Sequence, residues 1–591
     1  MKTVQEQQID EMITALQVKL AAKKNPATRT WESRLSSSAI STAVSVFALY
    51  LADPVKYKVH IELGQQWLFQ TMLADGTWGD SPESPPNMTA TLLCYASLHA
   101  SGRPSEKTTG YLAKTFGGTS DPHIISGVLN YYGKDLTFSA PILVMCALSG
   151  LIHTWDSIPQ LPFELSVLPQ NVFRFLRLPV VSYAIPALIA VGILRYKMGQ
   201  KNILSPIRNG FIEKSLRVLE KLQPENGGFL EAAPLTAFVA MCLCGAGYRN
   251  HPSAQRGIDF LVNTVRDDGS WPIDTNLDSW VTALSIRALN DDITDKPALA
   301  ETIKRLAFAY KHPFTGAKPG GWAWTNLAGA VPDADDTAAS LVSLHILLKG
   351  ELCHEVETGI AWLLDLQNAD GGIPTFCKGW GKLPFDRSSP DITAQSLLAF
   401  QLWLDVLPPN LKRRCTSSSR RMLAWMQQTQ SENGSWDPLW FGDQNSADEK
   451  APVYGTAVAV EYLAGINNPV ATITVSKGTA YLLSAQNPDG GWGGASSVPS
   501  KVTMTAKALG ALVSSRSLNR DNIVQGLAFL HKKYSSGELF NAEPIGLYFS
   551  RLWYSEEMYN ITFTLNTLKK IKNRNYEAHF YSISAPLSAV Y

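Results

Sequence analysis

Six related segments recur along the chain: QTMLADGTW (70–78), QPENGGF (223–229), VRDDGSW (265–271), QNADGGI (367–373), QSENGSW (430–436) and QNPDGGW (486–492). Three of them place a Gln six residues before an aromatic with Asp/Asn-Gly between, and the other three are degenerate copies. A repeat of this kind fixes architecture before any single element is assigned. Asp/Asn-Gly supplies the turn, with Gly at positive φ, while the Gln amide can bond backbone groups at a helix end and the aromatic packs over the next helix. Apolar runs at helical spacing border several copies, as in IAWLLDLQ (360–367), RRMLAWMQ (420–427), KGTAYLLSAQ (477–486) and TAKALGALVSS (505–515). The unit is therefore helix, turn, helix. Sustained alternation of period two and βαβ punctuation are absent from the sequence, so an all-α chain of stacked helix pairs is expected, closing into double-layered α-α barrels.

At 591 residues the chain is longer than a single core usually grows. The repeats leave a gap between about 80 and 220, and a division near 275 gives an N-terminal helix (1–29) packing on the second barrel, a first barrel (30–275) and a second barrel (276–591). Charged residues make up only 17% of the chain and the net charge is +1, so nucleic acid is an unsuitable partner. The seven cysteines, irregularly spaced, indicate a reducing compartment rather than a disulfide framework. Cys242 and Cys244 sit in the apolar run AFVAMCLCGAG and read as buried thiols. The first residues are amphipathic and contain Glu6, Asp10 and Glu11, which suits a structural helix rather than a leader. The uncharged run LPVVSYAIPALIAVGIL (178–194) is too short to span a bilayer; it reads as buried core or as a monotopic contact with one leaflet, on the cytoplasmic side.

The stretch VPDADDTAAS (331–340) crowds Asp333, Asp335 and Asp336 into four positions. Shielded from water, such carboxylates repel, and the least compensated one keeps its proton at neutral pH. That is a proton donor. A second acidic stretch, Asp291-Asp292-Ile293-Thr294-Asp295, spells the DDxxD of metal-diphosphate sites, but it ends a helix before Lys296-Pro297 and lacks a companion motif, so solvated loop acids are the preferred reading.

Together DADDTA and the repeats, which are QW motifs, closely resemble the squalene-hopene cyclase and class II terpene cyclase superfamily from about Gln66 to Leu568, most of all over 315–495. The resemblance implies two α-α barrels of the β and γ type and cyclisation of a linear polyprenoid started by an aspartic acid, with no metal or organic cofactor. By local motif it places the acid at Asp335, the middle carboxylate, with Asp333, Asp336 and Asp391 (in SSPDITAQ) as partners. GGWAW (320–324) puts Trp324 in the cavity lining, and Trp280, Phe376, Trp440 and, more weakly, Trp155 match further cavity aromatics. Tyr454 in VYGTA matches a tyrosine close to the acid, and the aromatic-rich segment 544–563 contributes Tyr559. Aromatic faces suit this chemistry because they stabilise a carbocation without attacking it.

Two departures stand out. Hopene-forming members carry a His four residues after the Asp matching Asp391, where this chain has Gln395, and Glu556 and Glu557 fall where a squalene-type pocket favours aromatics. The substrate expectation therefore covers squalene-like triterpenes and prenylated aromatics. The alternatives are a bicyclic-diphosphate-forming cyclase of geranylgeranyl diphosphate and a non-catalytic isoprenoid-binding barrel. A prenyltransferase-type barrel would need a zinc site whose spacing is missing. A homodimer is an admissible assembly.

Overall fold

The repeated turn works as a tie between layers of helices. In the copy at 430–436, Gln430 Nε2 donates to Gly434 O and to Thr474 O, each at 2.9 Å. Trp436 donates from Nε1 to Met426 O at 3.0 Å and from its backbone N–H to Thr456 Oγ1 at 3.0 Å. One turn thus joins the helix it leaves, the next outer helix and the next inner one. The same bonds recur at Gln486 and Trp492. Gly434 has φ +91°, and a Cβ there would stand 2.4 Å from Lys477 O, so both conformation and space require Gly.

The computed structural model describes residues 4–133, 136–168, 185–201, 203, 205–313, 315–376, 378, 386–516, 519–548 and 552–573. An amphipathic first helix, α1 (Val4–Ala22), is followed by α2 (Ala39–Ala52), α3 (Lys58–Thr71), α4 (Met88–Ala100), α5 (Glu106–Phe116), α6 (Asp121–Tyr132), α7 (Leu136–Leu148), α8 (Ile185–Met198), α9 (Ile212–Leu222), α10 (Ala233–Gly245) and α11 (Pro252–Thr264). Helices α2, α4, α7, α8 and α10 contact one another in turn and close back on α2 as an inner ring, with α3, α5, α6, α9 and α11 outside.

A second ring follows. Its inner helices are α12 (Asp278–Leu289), α14 (Ala334–Leu348), α16 (Pro390–Trp403), α18 (Pro452–Leu463), α20 (Val502–Ser514) and α22 (Glu557–Asn573), each touching the next, and α22 closes on α12. Outside lie α13 (Lys296–Leu306), α15 (His354–Leu366), α17 (Pro409–Thr429), α19 (Pro469–Ser484) and α21 (Arg520–Ser535), and α1 packs against α21 and α22. The inner helices are apolar on nearly every side, as buried helices must be.

Three features differ from, or add to, the sequence reading. A two-stranded antiparallel ribbon pairs β1 (Gly546–Tyr548) with β2 (Leu552–Tyr554), a local exception in an all-α chain. A seventh tie exists at Trp322, whose Nε1 reaches Ile303 O at 2.8 Å and whose N–H reaches Thr337 Oγ1 at 2.9 Å; Gly316 stands where the Gln would be and Pro319 where the Asp/Asn would be, which hides the copy in the sequence. The apolar run 178–194 divides: residues 185–194 are in the inner helix α8 and buried apart from half-buried Ala187, and 178–184 lie outside the described residues. The described part thus faces protein rather than a leaflet, because α8 closes the first ring. Among the described residues no helix is long and apolar enough to cross a membrane.

Candidate active site

Helix α14 begins inside the DADD motif. Asp333 is its N-cap, in extended conformation, and its Oδ1 accepts the Asp336 N–H at 2.8 Å, the role an acid favours at a helix start. Asp333 and Asp336 are buried, whereas Asp335 is only half-buried and turns its accessible surface into a cavity. All three acids line that cavity, and Asp335 is the most exposed of them.

Burial raises the pKa of Asp335 well above the ordinary carboxylate range, and the charges of Asp391 and Asp333 raise it further. Burial raises Asp336 likewise, helped by Asp333 beside it. Asp391, in the first turn of α16, is also raised by burial, offset by a hydrogen bond from Ser389 Oγ and by backbone N–H groups. Burial and its acidic neighbours thus hold Asp335 towards its protonated form. Gln395, one turn along α16 from Asp391, is 3% exposed. With its amide assigned from the hydrogen-bond pattern, Nε2 donates to Asp335 Oδ1 at 2.9 Å and Oε1 accepts from Ala339 N–H at 3.1 Å.

Empty space among the lining residues amounts to about 670 Å³, open solvent at the mouth included. One wall is a row of aromatics: Phe376 meets Trp324 edge-to-face at 6.0 Å and Trp440 at 6.0 Å, with Trp280 beside them in the lining. The row is fixed by polar bonds. Trp324 O accepts the N–H groups of Ser279 and Trp280, satisfying the open first turn of α12, and Trp440 Nε1 donates to Thr375 Oγ1 at 2.8 Å. Phe441, Tyr554 and Tyr559 also line the cavity, the two tyrosine hydroxyls lying 3.2 Å apart. Leu230, from the first barrel, and Leu277 complete the apolar surface. A buried acid thus faces a mostly apolar, aromatic-walled space, a setting for giving a proton to a hydrocarbon.

Residues 278–573 match the family model of the squalene-hopene cyclase C-terminal domain. The chain belongs to the squalene-hopene cyclase family. Among curated relatives it is 24% identical over 555 residues to the enfumafungin synthase of Hormonema carpetanum, covering 78% of this chain and 40% of that protein. It is 23% identical over 599 residues to a squalene hopane cyclase of Aspergillus fumigatus, covering 79% and 75%. The chain thus spans well under half the length of the first of these relatives. The ent-copalyl diphosphate synthase of Streptomyces platensis shares the fold with a TM-score of 0.55 at 17% identity, over 95% of this chain and 99% of that one.

Against the residues that the squalene-hopene cyclase resemblance singled out, the structure brings Asp333, Asp335, Asp336, Trp280, Trp324, Phe376, Trp440 and Tyr559 to one cavity, with Asp391 and Gln395 behind the acid. Tyr454 sits one layer back, stacked on Phe441 at 4.3 Å. Trp155 is not brought there: it lies half-buried on a single 3₁₀ turn (Trp155–Ser157) of the first barrel and is not among the lining residues. Glu556 and Glu557 do not enter the pocket either. Glu556 is buried at the start of α22, accepting from Ser33 Oγ and from Met558 N–H, and Glu557 pairs outward with Lys23. The pocket keeps its aromatics at Tyr554 and Tyr559 instead.

The DDITD acids are each engaged locally. Asp295 caps α13 through Ala298 N–H, Asp292 pairs with Lys569 at 2.7 Å and Asp291 with Lys296 at 3.6 Å. Among the described residues no three His, Cys, Asp or Glu side chains are grouped as metal ligands. Leu230, Leu277, Thr375, Phe441 and Tyr554 line the cavity without having been singled out in the sequence. Thr375 and Phe441 adjoin Phe376 and Trp440, a signal that was available; Leu230 comes from another barrel and carried none.

Proposed function

We propose that the protein is a class II terpene cyclase that protonates the terminal alkene, or epoxide, of a linear polyprenoid from Asp335 and guides the ensuing cationic polycyclisation. The observation that carries this reading is Asp335, the half-buried one of the three acids that line the aromatic-walled cavity. Proton transfer turns a neutral acid and a neutral alkene into a carboxylate and a carbocation. The Gln395 N–H favours the carboxylate. Trp280, Trp324, Phe376 and Trp440 offer π faces to the cation, each worth about 0.5–2 kcal/mol when desolvated. The apolar lining excludes water that would quench the cation early, and the cavity shape holds successive alkenes within reach of one another.

The substrate class follows from the same lining. Its described residues include no Lys or Arg to receive a diphosphate, which favours a squalene-like triterpene or a prenylated aromatic. The Aspergillus fumigatus relative is named as a squalene hopane cyclase, in keeping with the first of these. The test is incubation of the purified protein in EDTA and detergent with squalene, a tetraprenyl-arene acid and geranylgeranyl diphosphate, read by mass spectrometry. An isomeric product from either non-diphosphate substrate is expected; turnover of the diphosphate alone, restored by Mg²⁺, would overturn the substrate class. Binding of these lipids without any turnover would favour the carrier alternative.

A further inference from the structure

Inside the second ring lies a charged cluster whose residues are not among the cavity lining. Lys507 projects from the inner helix α20 and is only 6% exposed, a rare state for an unpaired lysine. Among the described residues its Nζ has no hydrogen bond and no carboxylate within ion-pair distance. It rests 4.0 Å from the ring centre of Phe563 on α22 and 5.7 Å from that of Tyr454 on α18.

Around it stand Glu461 and Tyr462 on α18, Arg287 on α12 and Lys570 on α22, with Asp335 on α14. Glu461 is already engaged: Lys570 donates to it, Arg287 lies at 3.4 Å and Asn566 at 3.4 Å. Arg287 also donates to Tyr462 Oη at 2.5 Å. Arg287, Lys507 and Lys570 against Glu461 leave two positive charges in excess, in a part of the barrel where every charge is poorly hydrated. The excess has one nearby use. Lys507 and Arg287 are the groups that favour an ionised Asp335, opposing Asp391 and Asp333. Burial lowers the Lys507 pKa to about 8 with Glu461 opposing, so the ammonium persists at neutral pH.

We propose that Lys507, held over Phe563 and Tyr454 beside the Glu461 network, is a positioning residue whose fixed positive charge stabilises the Asp335 carboxylate formed on proton transfer. It supplies, from α20, the charge that Gln395 on α16 cannot. The inference rests on Asp335 being the proton donor, and the proton it gives is regained from solvent after each turnover.

The test compares wild type with Lys507→Met and Lys507→Arg in two readouts. The first is independent of turnover: the ionisation of Asp335 across pH, followed by infrared difference spectroscopy against Asp335→Asn. Lys507→Met should raise the Asp335 pKa by at least one unit and Lys507→Arg should leave it near wild type. The second is the pH profile of cyclisation. Lys507→Met should lose at least tenfold in kcat with KM little changed, since one pKa unit corresponds to about tenfold. In wild type, activity should fall as pH rises through about 8, and Lys507→Arg should carry that limb upward. An unmoved Asp335 titration in a folded Lys507→Met protein overturns the inference. A moved titration in a protein that turns over no polyprenoid leaves the coupling standing and overturns the cyclase reading instead.

Discussion

Gln395→Leu isolates one hydrogen bond in the proton-transfer step. Gln395 Nε2 lies 2.9 Å from Asp335 Oδ1, and the side chain is 3% exposed, so water does not replace it readily. In the resting enzyme Asp335 is neutral and the bond is an ordinary one. At proton transfer the oxygen becomes anionic, and a bond to a charged group is worth about 1.5–3 kcal/mol. Only the excess over the ordinary bond's about 0.5–1.5 kcal/mol counts, about 1–1.5 kcal/mol, which at 1.36 kcal/mol per tenfold should slow the chemical step by about five- to thirteenfold. Leu fills much of the same volume, and Ala339 N–H keeps its helical carbonyl, so thermal stability should change little. The assay is kcat and KM by quantitative mass spectrometry, alongside a melting curve. A fall in kcat with KM and melting temperature near wild type is expected. A variant within twofold of wild type would refute the argument that Gln395 stabilises the ionised acid.

Phe376→Leu removes the central ring of the Trp324–Phe376–Trp440 row; kcat should fall about two- to thirtyfold, with early-quenched, partly cyclised products appearing by mass spectrometry. Glu461→Gln strands Arg287, Lys507 and Lys570 without their carboxylate and should cost about 3–5 kcal/mol in denaturant unfolding. Burial pushes the Glu461 pKa up, but those three cations outweigh it and hold it down to about 2. A depressed pKa contributes stability above the unfolded value of about 4.3, lost as pH falls towards about 2, so the gap between wild type and variant should shrink over that window.

The recurring turn was legible because its chemistry is local. In the copies at 430–436 and 486–492 the Gln and Trp bond to their own turn, to the helix before it or to the next helices, and the spacing survives in one dimension. The tie at Trp322 escaped because Gly316 and Pro319 replace the Gln and the Asp/Asn of the pattern while the indole bond to Ile303 remained. The acid and four of the wall aromatics were legible through motifs that border this turn. Trp155 rested on a weaker local match, and its place on a short turn of the other barrel depends on packing that no spacing encodes. Lys507 is the clearest case of the opposite kind. In TAKALGALVSS a lysine reads as the wet edge of an amphipathic helix, and only closure of the inner ring, with α18 and α22 on either side of α20, turns it inward.

The most direct measurement of the central claim is cyclisation in D₂O. Proton-initiated cyclisation of an unoxidised polyprenoid through Asp335 predicts one deuterium per product molecule, on the ring carbon that was the CH of the terminal alkene, and no product from Asp335→Asn. A product without deuterium at that carbon, or one formed equally well by Asp335→Asn, would contradict the account.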